Sequence, residues 1–267
     1  MSQPSGQEPA SAAEVVRISS RENPLLKDLR RLAQDGAAHR KLGRIWLEGE
    51  HLCRALLAHD QRPAQAVFSE SMWAGGATQW AACAARNIVL PDPLFASLSG
   101  LESVAGVGFV LPLPAEPGIA PCMPSVILDR VQDAGNVGSI LRSAAAFGFS
   151  QVIALRGSAL LWGPKVLRAG MGAHFGLRLV EGVDPDALEG LALPIIVTSS
   201  HHGLLLHQVR LPTPCAWAFG HEGQGVAPAL QARASLAVRI AQPGGEESLN
   251  VAAAAAVCLH ASATLAG

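Results

Sequence analysis

No stretch of this 267-residue sequence reaches the roughly 18 consecutive apolar residues that a membrane-spanning helix needs. Cysteine pairs at C-x-x-C spacing are missing as well. Cys53, Cys83, Cys122, Cys215 and Cys258 are odd in number and far apart, which excludes a zinc knuckle and implies reduced, mostly buried thiols. Charge is scarce, with 15% charged against 49% hydrophobic residues, and that balance excludes a disordered chain. A formal net charge of -1 excludes a polycation, so any affinity for nucleic acid must come from a local patch. The opening residues MSQPSGQEPASAAE lack the basic start and apolar core of a secretory signal. The expectation is a soluble cytoplasmic protein with a disordered leader over residues 1–14.

What is there falls into two parts. Between Arg21 and Arg44, seven cations (Arg21, Lys27, Arg30, Arg31, Arg40, Lys41, Arg44) face three carboxylates, a local cationic patch that charge alone does not distinguish from a solvated helix face. In NPLLKDLRRLAQ, Asn23 as N-cap, Pro24 at the first position and apolar Leu25, Leu29 and Leu32 predict a helix. RIWLE, QAVFSE, NIVLP and VGFVL read as strands, alternating with helical stretches over residues 49–58 and 77–86. Residues 15–110 are therefore expected to form a small α/β domain. Residues 111–124, LPLPAEPGIAPCMP, carry five prolines and predict an extended connector, because proline fixes φ and removes a donor.

Over residues 125–267 the rhythm predicts a parallel sheet covered on both faces. Its strands would be 125–129, 151–155, 176–180, 194–200, 215–220 and 236–240, and its helices 137–147, 164–171, 184–190, 226–234 and 247–264. Open α/β sheets bind ligands beyond the carboxyl ends of their strands, so the loops after Asp129, Gly220 and Ile240 are the places for a site.

Those three loops hold the unusual residues. In DRVQDAGNVGSILRSAAAFG, Gly135 and Gly138 allow the backbone to bend closely, and Asn136 and Arg142 lie six residues apart at a helix entrance. In FGHEGQGV, Glu222 stands among Gly220, Gly223 and Gly225, whose freedom permits a close ligand approach. In IAQPGGEESLNVAAAAAVCLH, Ser248 or Glu247 could cap the last helix, whereas Asn250 in its apolar start asks for another explanation.

Taken together, NVGSILR, GHEGQG and IAQPGGEESLNVA resemble the three motifs of the SpoU (TrmH-like) branch of the SPOUT RNA methyltransferases. PKVLRAGMGAHF is similar to the family's intervening segment, and the resemblance covers residues 123–264. The front half, SSRENPLLKDLRRL followed by KLGRIWLEGEHLCRALL, resembles the ribosomal-protein-like substrate-binding domain fused to many of these enzymes, although SGLESVAGVGFV departs from the family's Pro-Gln-Gly pattern. The resemblance implies a SPOUT domain with a trefoil knot, S-adenosylmethionine as cofactor, a homodimer, no metal, and methylation of a ribose 2'-hydroxyl in RNA, ribosomal RNA before transfer RNA. It implies catalytic roles for Asn136, Arg142, Glu222, Ser248 and Asn250. Cofactor contacts would come from Thr198, Ser199, Gly220, Glu222, Gly223, Ile240, Gln242, Ser248, Leu249 and Asn250, and RNA contacts from Asn23, Lys27, Arg30, Arg44, Arg142 and Arg168.

Two other readings make different demands. A nicotinamide-dependent oxidoreductase needs G-x-G-x-x-G opening a helix after SVILD, and the sequence has none there; NADH against S-adenosylhomocysteine binding separates the two. A non-catalytic RNA-binding assembly factor would have lost motif residues, and all are present. His201, His202 and His207 flank a loop without a carboxylate or cysteine to complete metal spacing. Ser248 lacks the G-x-S-x-G elbow of a hydrolase nucleophile.

Overall fold

The short apolar runs of the sequence become strands, and these gather into two sheets. A computed structural model describes residues 14–100, 103–199, 202–244 and 248–264. The first sheet contains β1 (Glu14–Arg17), β2 (Arg44–Glu48), β3 (Gln65–Ser69), β4 (Arg86–Leu90) and β5 (Val107–Pro112), in the order β1-β4-β3-β5-β2. Strands β1, β4 and β3 are parallel, and β5 runs antiparallel to β3 and β2. The second contains β6 (Ser125–Asp129), β7 (Gln151–Leu155), β8 (Arg178–Val183), β9 (Ile195–Thr198), β10 (Leu204–Leu205), β11 (Ala216–Gly220) and β12 (Leu236–Arg239). Its order is β10-β12-β9-β11-β6-β7-β8, parallel throughout. Among the described residues no helix is long and apolar enough to cross a membrane.

The longer helices are α1 (Pro24–Gln34), α2 (Glu50–Ala58), α3 (Ala134–Ala146), α4 (Pro164–Gly170) and α5 (Val251–Thr264). Asn23 caps α1 by accepting the Leu25 amide at 2.9 Å, and Leu26, Leu29 and Leu32 are buried, with Leu26 in place of the expected Leu25. Helices α3 and α5 cover one face of the large sheet, where Val137, Ile140, Leu141, Ala255, Cys258 and Leu259 join Trp217 and Phe219 in one core. A buried hydrogen bond from Trp217 Nε1 to Ser262 Oγ at 2.8 Å ties α5 to β11.

Several boundaries differ from the sequence pattern. Glu14, expected in the leader, opens β1, its amide bonded to the Ala85 carbonyl at 3.1 Å; residues 1–13 lie outside the described residues. Leu111 and Pro112, expected in the connector, finish β5, because Pro112 sits at the last register position opposite Arg44, where a missing donor breaks no central ladder. The stretches 184–190 and 226–234 shorten to a 3-10 segment, Pro185–Gly190, and one turn, Pro228–Gln231. Strand β10 has only two residues, too few to show a period. Cys53, Cys215 and Cys258 are buried, Cys83 is half-buried and Cys122 exposed, all as free thiols.

The two halves meet over an apolar seam in which Leu167, Trp162 and Phe175 pack with Leu47, Leu52 and Phe109. Beside it Glu181 of β8 accepts Arg40 Nε at 2.9 Å and pairs with the buried His39 at 3.4 Å. Burial pushes the Glu181 carboxyl up, but His39 and Arg40 outweigh it and hold the group below the usual carboxylate range. Arg40, read as part of the cationic patch, thus pairs with Glu181 at the edge of the seam while staying exposed. His174 is buried nearby, its Nε2 2.9 Å from the Leu161 carbonyl, and burial lowers its pKa to about 4.

Candidate functional site

Register alone brings the loops together. Thr198 pairs with Val238 on β12, Val197 with Ala218 on β11, and Gly220 with Asp129 on β6, so β12, β9, β11 and β6 end side by side. From β6 the chain moves outward through β7 and β8, then resumes on the other side of β11, which makes β6/β11 the point where the order reverses.

At that point a relay of side chains joins the three loops. Asn250 caps α5, its Oδ1 accepting the amides of Ala252 at 2.9 Å and Ala253 at 3.2 Å. Its Nδ2 is thereby turned outward and donates to Asn136 Oδ1 at 2.9 Å. Asn136 Nδ2 in turn donates to Glu222 Oε1 at 3.1 Å. Both amide orientations are fixed from the ends, because a helix cap must present oxygen and an ionised carboxylate only accepts. Glu222 also receives the backbone amides of Asp133 at 3.3 Å and Gln132 at 3.4 Å. Desolvation raises its pKa; its own amide, Asn136, Asp133 and Gln132 outweigh that and leave it below the usual range.

The glycines divide the local work. Gly220 has no room for a Cβ, which would run into the backbone of Gly225 and Val226. Gly225 has φ +66°, and the two-way bonding of His221 with Gly225 (3.1 and 2.8 Å) closes the turn that presents Glu222. Gly138 serves packing instead of a ligand: a Cβ there would come within 2.7 Å of the Gly170 amide nitrogen, so its absence lets α3 lie against α4.

Arg142 stands apart from this relay. Six residues along α3 place it about 9 Å further along the axis and about 240° around from Asn136. It is exposed and makes no hydrogen bond or ion pair among the described residues. Glu222 bonds to the loop after β6, through the amides of Gln132 and Asp133, and not to this arginine. Ser248 and Leu249 are exposed ahead of α5, which starts at Val251 with Asn250 as its cap; Glu247, the other capping candidate, lies outside the described residues. Ser199 bonds through its amide to the Val238 carbonyl at 3.0 Å, next to Thr198 at the end of β9. Ile240 is partly buried against the core, and Gly223 is exposed at the tip of the glutamate turn. Gln242 carries a buried Oε1 without a partner, an acceptor placed where a ligand donor would satisfy it. This orphaned acceptor is the kind of group that a donor of a nucleoside-bearing cofactor would satisfy.

The RNA candidates are scattered. Asn23 spends its carbonyl on the α1 cap, Lys27 pairs with Glu22 at 2.6 Å, and Arg30 Nη2 reaches Ser97 Oγ at 3.3 Å. Arg44 is exposed, whereas Arg168 is half-buried at the seam against Gly100. Among the described residues no group of three His, Cys, Asp or Glu side chains could hold a metal, and His201 lies outside them.

Four residues that sequence reasoning missed complete the loops: Arg130, Gln132, Asp133 and Gln224. Asp133 caps α3 by accepting the Asn136 amide at 2.7 Å, and an Asp just before a helical period is a signal that could have found it. Gln132 acts through its backbone, and nothing in the letters marks Arg130 or Gln224.

Residues 123–260 match the model of the SpoU rRNA Methylase family. Over 91% of this chain and 98% of the relative, the sequence is 27% identical to the 23S rRNA (guanosine(2553)-2'-O)-methyltransferase RlmP of Bacillus subtilis. A solved RNA 2'-O ribose methyltransferase superposes with a TM-score of 0.75 at 28% identity, covering 92% of this chain and 98% of the other. The SpoU methyltransferase AviRb from Streptomyces viridochromogenes, in complex with AdoMet, shares the fold with a TM-score of 0.80 at 21% identity, covering 91% and 97%.

Proposed function

We propose, from the premise that this chain belongs to the SpoU rRNA Methylase family, that it methylates a ribose 2'-hydroxyl in RNA with S-adenosylmethionine as donor, and that its substrate is ribosomal RNA. The observation that carries this reading is the Asn250–Asn136–Glu222 relay across the carboxyl ends of β12, β9, β11 and β6.

S-adenosylmethionine supplies a methyl group already activated as a sulfonium. The chain must therefore mainly align a hydroxyl and help it lose a proton. Good alignment contributes on the order of 7–11 kcal/mol and general-base assistance about 10²- to 10⁴-fold. Main chain at Gly220, Gly223, Ile240 and Leu249, with Thr198, Ser199 and the free Gln242 oxygen, would hold the donor. Glu222 is a poor base, since its oxygens already accept from Asn136 and two amides. It and Asn136 form the frame, and Ser248 and Asn250 close it. A guanidinium offers five donors and no acceptor, so the role of Arg142 is to hold the phosphate beside the target ribose and to stabilise developing alkoxide charge.

Its direction on α3 suits a homodimer in which Arg142 serves the frame of the other subunit. The small residues of α5 suit close contact between copies. The N-terminal half would grip RNA through Lys27, Arg30 and Arg44, and the protein would work in the cytoplasm, where ribosomes are made. The trefoil knot that the family implies would take residues 248–264 as its C-terminal segment.

The test is transfer of labelled methyl from S-adenosylmethionine to unmodified ribosomal and transfer RNA, followed by mapping of 2'-O-methyl positions by primer extension. Transfer to one ribose of ribosomal RNA is expected. Donor binding without transfer to either RNA would favour the non-catalytic assembly factor.

A further inference from the structure

Arg130 carries strained backbone at the edge of the site. It follows Asp129 at the end of β6 with φ +60°, a left-handed conformation that brings Cβ too close to the following carbonyl oxygen in any residue with a side chain. Glycine would adopt it freely, and such strain persists only where the surroundings determine it.

The surroundings are specific. The left-handed step folds the guanidinium back so that Nε and Nη2 lie 3.0 and 3.3 Å from the two oxygens of Asp129, whose side chain is 5% exposed. The same guanidinium donates from Nη1 to Gln224 Oε1 at 2.9 Å and from Nη2 to the Gly225 carbonyl at 3.3 Å. Asp129 Oδ2 accepts the Ala227 amide at 2.6 Å, so the pair grips the far limb of the glutamate turn at Gln224, Gly225 and Ala227. The near limb is gripped by Asn136 and the amides of Gln132 and Asp133 through Glu222. Gly223, the tip, lies between the two grips. The Arg130 stem also passes over Gly157, where a Cβ would come within 3.1 Å of Cγ, so the residue touches the loop after β7 too. None of the hydrogen bonds that Arg130 itself makes is to a residue assigned to the methyl-transfer chemistry.

We infer that Arg130 is a positioning residue: a clasp that fastens the 220–227 turn to the end of β6 and so presets the backbone that receives the methyl donor. This rests on the donor-site reading above. A fork is required, because one ammonium cannot span Asp129, Gln224 and Gly225 together.

The experiment measures S-adenosylhomocysteine binding by calorimetry to the full chain, without RNA, for wild type, Arg130→Gly, Arg130→Lys, Gln224→Leu and Arg130→Gly/Gln224→Leu, with near-UV circular dichroism as the check on folding. Arg130→Gly and Arg130→Lys are each expected to bind roughly tenfold more weakly, the size of one charge-assisted hydrogen bond. Gln224→Leu should bind roughly threefold more weakly, and the double variant no more weakly than Arg130→Gly alone. In turnover, KM for the donor should rise with kcat little changed. A residue that merely shields Asp129 predicts a silent Gln224→Leu, and that result overturns the clasp. So does wild-type affinity in Arg130→Gly or, if that variant does not fold, in Arg130→Lys. Absence of binding by wild type removes the donor reading and the clasp with it, whereas normal wild-type binding with unaffected variants removes the clasp alone.

Discussion

Helix α3 carries two side chains of the candidate site in opposite conditions. Asn136, in its first turn, has both polar ends engaged, by Asn250 and by Glu222. Arg142, two turns on, is exposed and bonded to nothing among the described residues. The contrast separates two kinds of work. A side chain fixed from both ends is ordered when the protein folds, and what it contributes is geometry. A solvated cation has its donors free and can meet a phosphate that arrives from outside. Losing the first should disturb binding and stability together; losing the second should disturb turnover alone.

The largest effect is expected at Arg142. Arg142→Ala, and Arg142→Lys nearly as much, should lower kcat on RNA by about 10²- to 10³-fold, as loss of a preorganised charge stabiliser does. Thermal unfolding should show stability within about 0.5 kcal/mol of wild type, since the residue is exposed and unbonded. A comparable loss of stability would erase the contrast. Asn136→Asp sharpens the other side: it removes the donor to Glu222 and sets two carboxylates against each other. Urea unfolding should report a loss of about 1–3 kcal/mol, and S-adenosylhomocysteine affinity should fall with it. Gly138→Ala touches neither side chain but pushes α3 from α4, and should cost about 1–3 kcal/mol by the same measurement.

The smallest effect is a pH dependence. The buried His174 has its pKa lowered to about 4 from 6.5, so its unfolded form binds protons first and stability falls as pH drops from 6.5 toward 4. Glu222 and Glu181, both held below 4.5, add stability above that value which disappears as pH falls through their folded pKa values. His174→Gln should flatten the upper part of this profile in thermal melts and leave the lower part in place.

The large sheet was legible because its strands are buried on both faces and read as continuous apolar runs; 125–129 and 151–155 match to the residue. The two-residue β10 and the one-turn helix at Pro228 were not, since neither is long enough to carry a period. In the site, Asn136, Glu222 and Asn250 could be picked out because polar residues at glycine-rich strand ends and in an apolar helix start have few other reasons to be there. Their bonding pattern could not be, because it depends on which oxygen a helix cap occupies. Arg130 was invisible for a related reason: its importance lies in a φ value, and φ has no letter. The pairing of Arg40 was not legible, since a charge run on paper does not reveal that one member bonds to Glu181 of the other half.

The contrast along α3 is tested most directly by mixing subunits. On the homodimer proposed above, an Arg142→Ala chain and an Asn136→Ala chain, each expected to be inactive alone, are assembled together as a heterodimer and methyl transfer to ribosomal RNA is measured. If Arg142 serves the frame of the opposite subunit, one site regains an intact frame and an intact arginine, and activity returns to about half of wild type, since one of the two sites in a C₂ dimer is restored. If the heterodimer forms and stays as inactive as its parents, frame and arginine belong to the same chain and the division of labour along α3 is wrong.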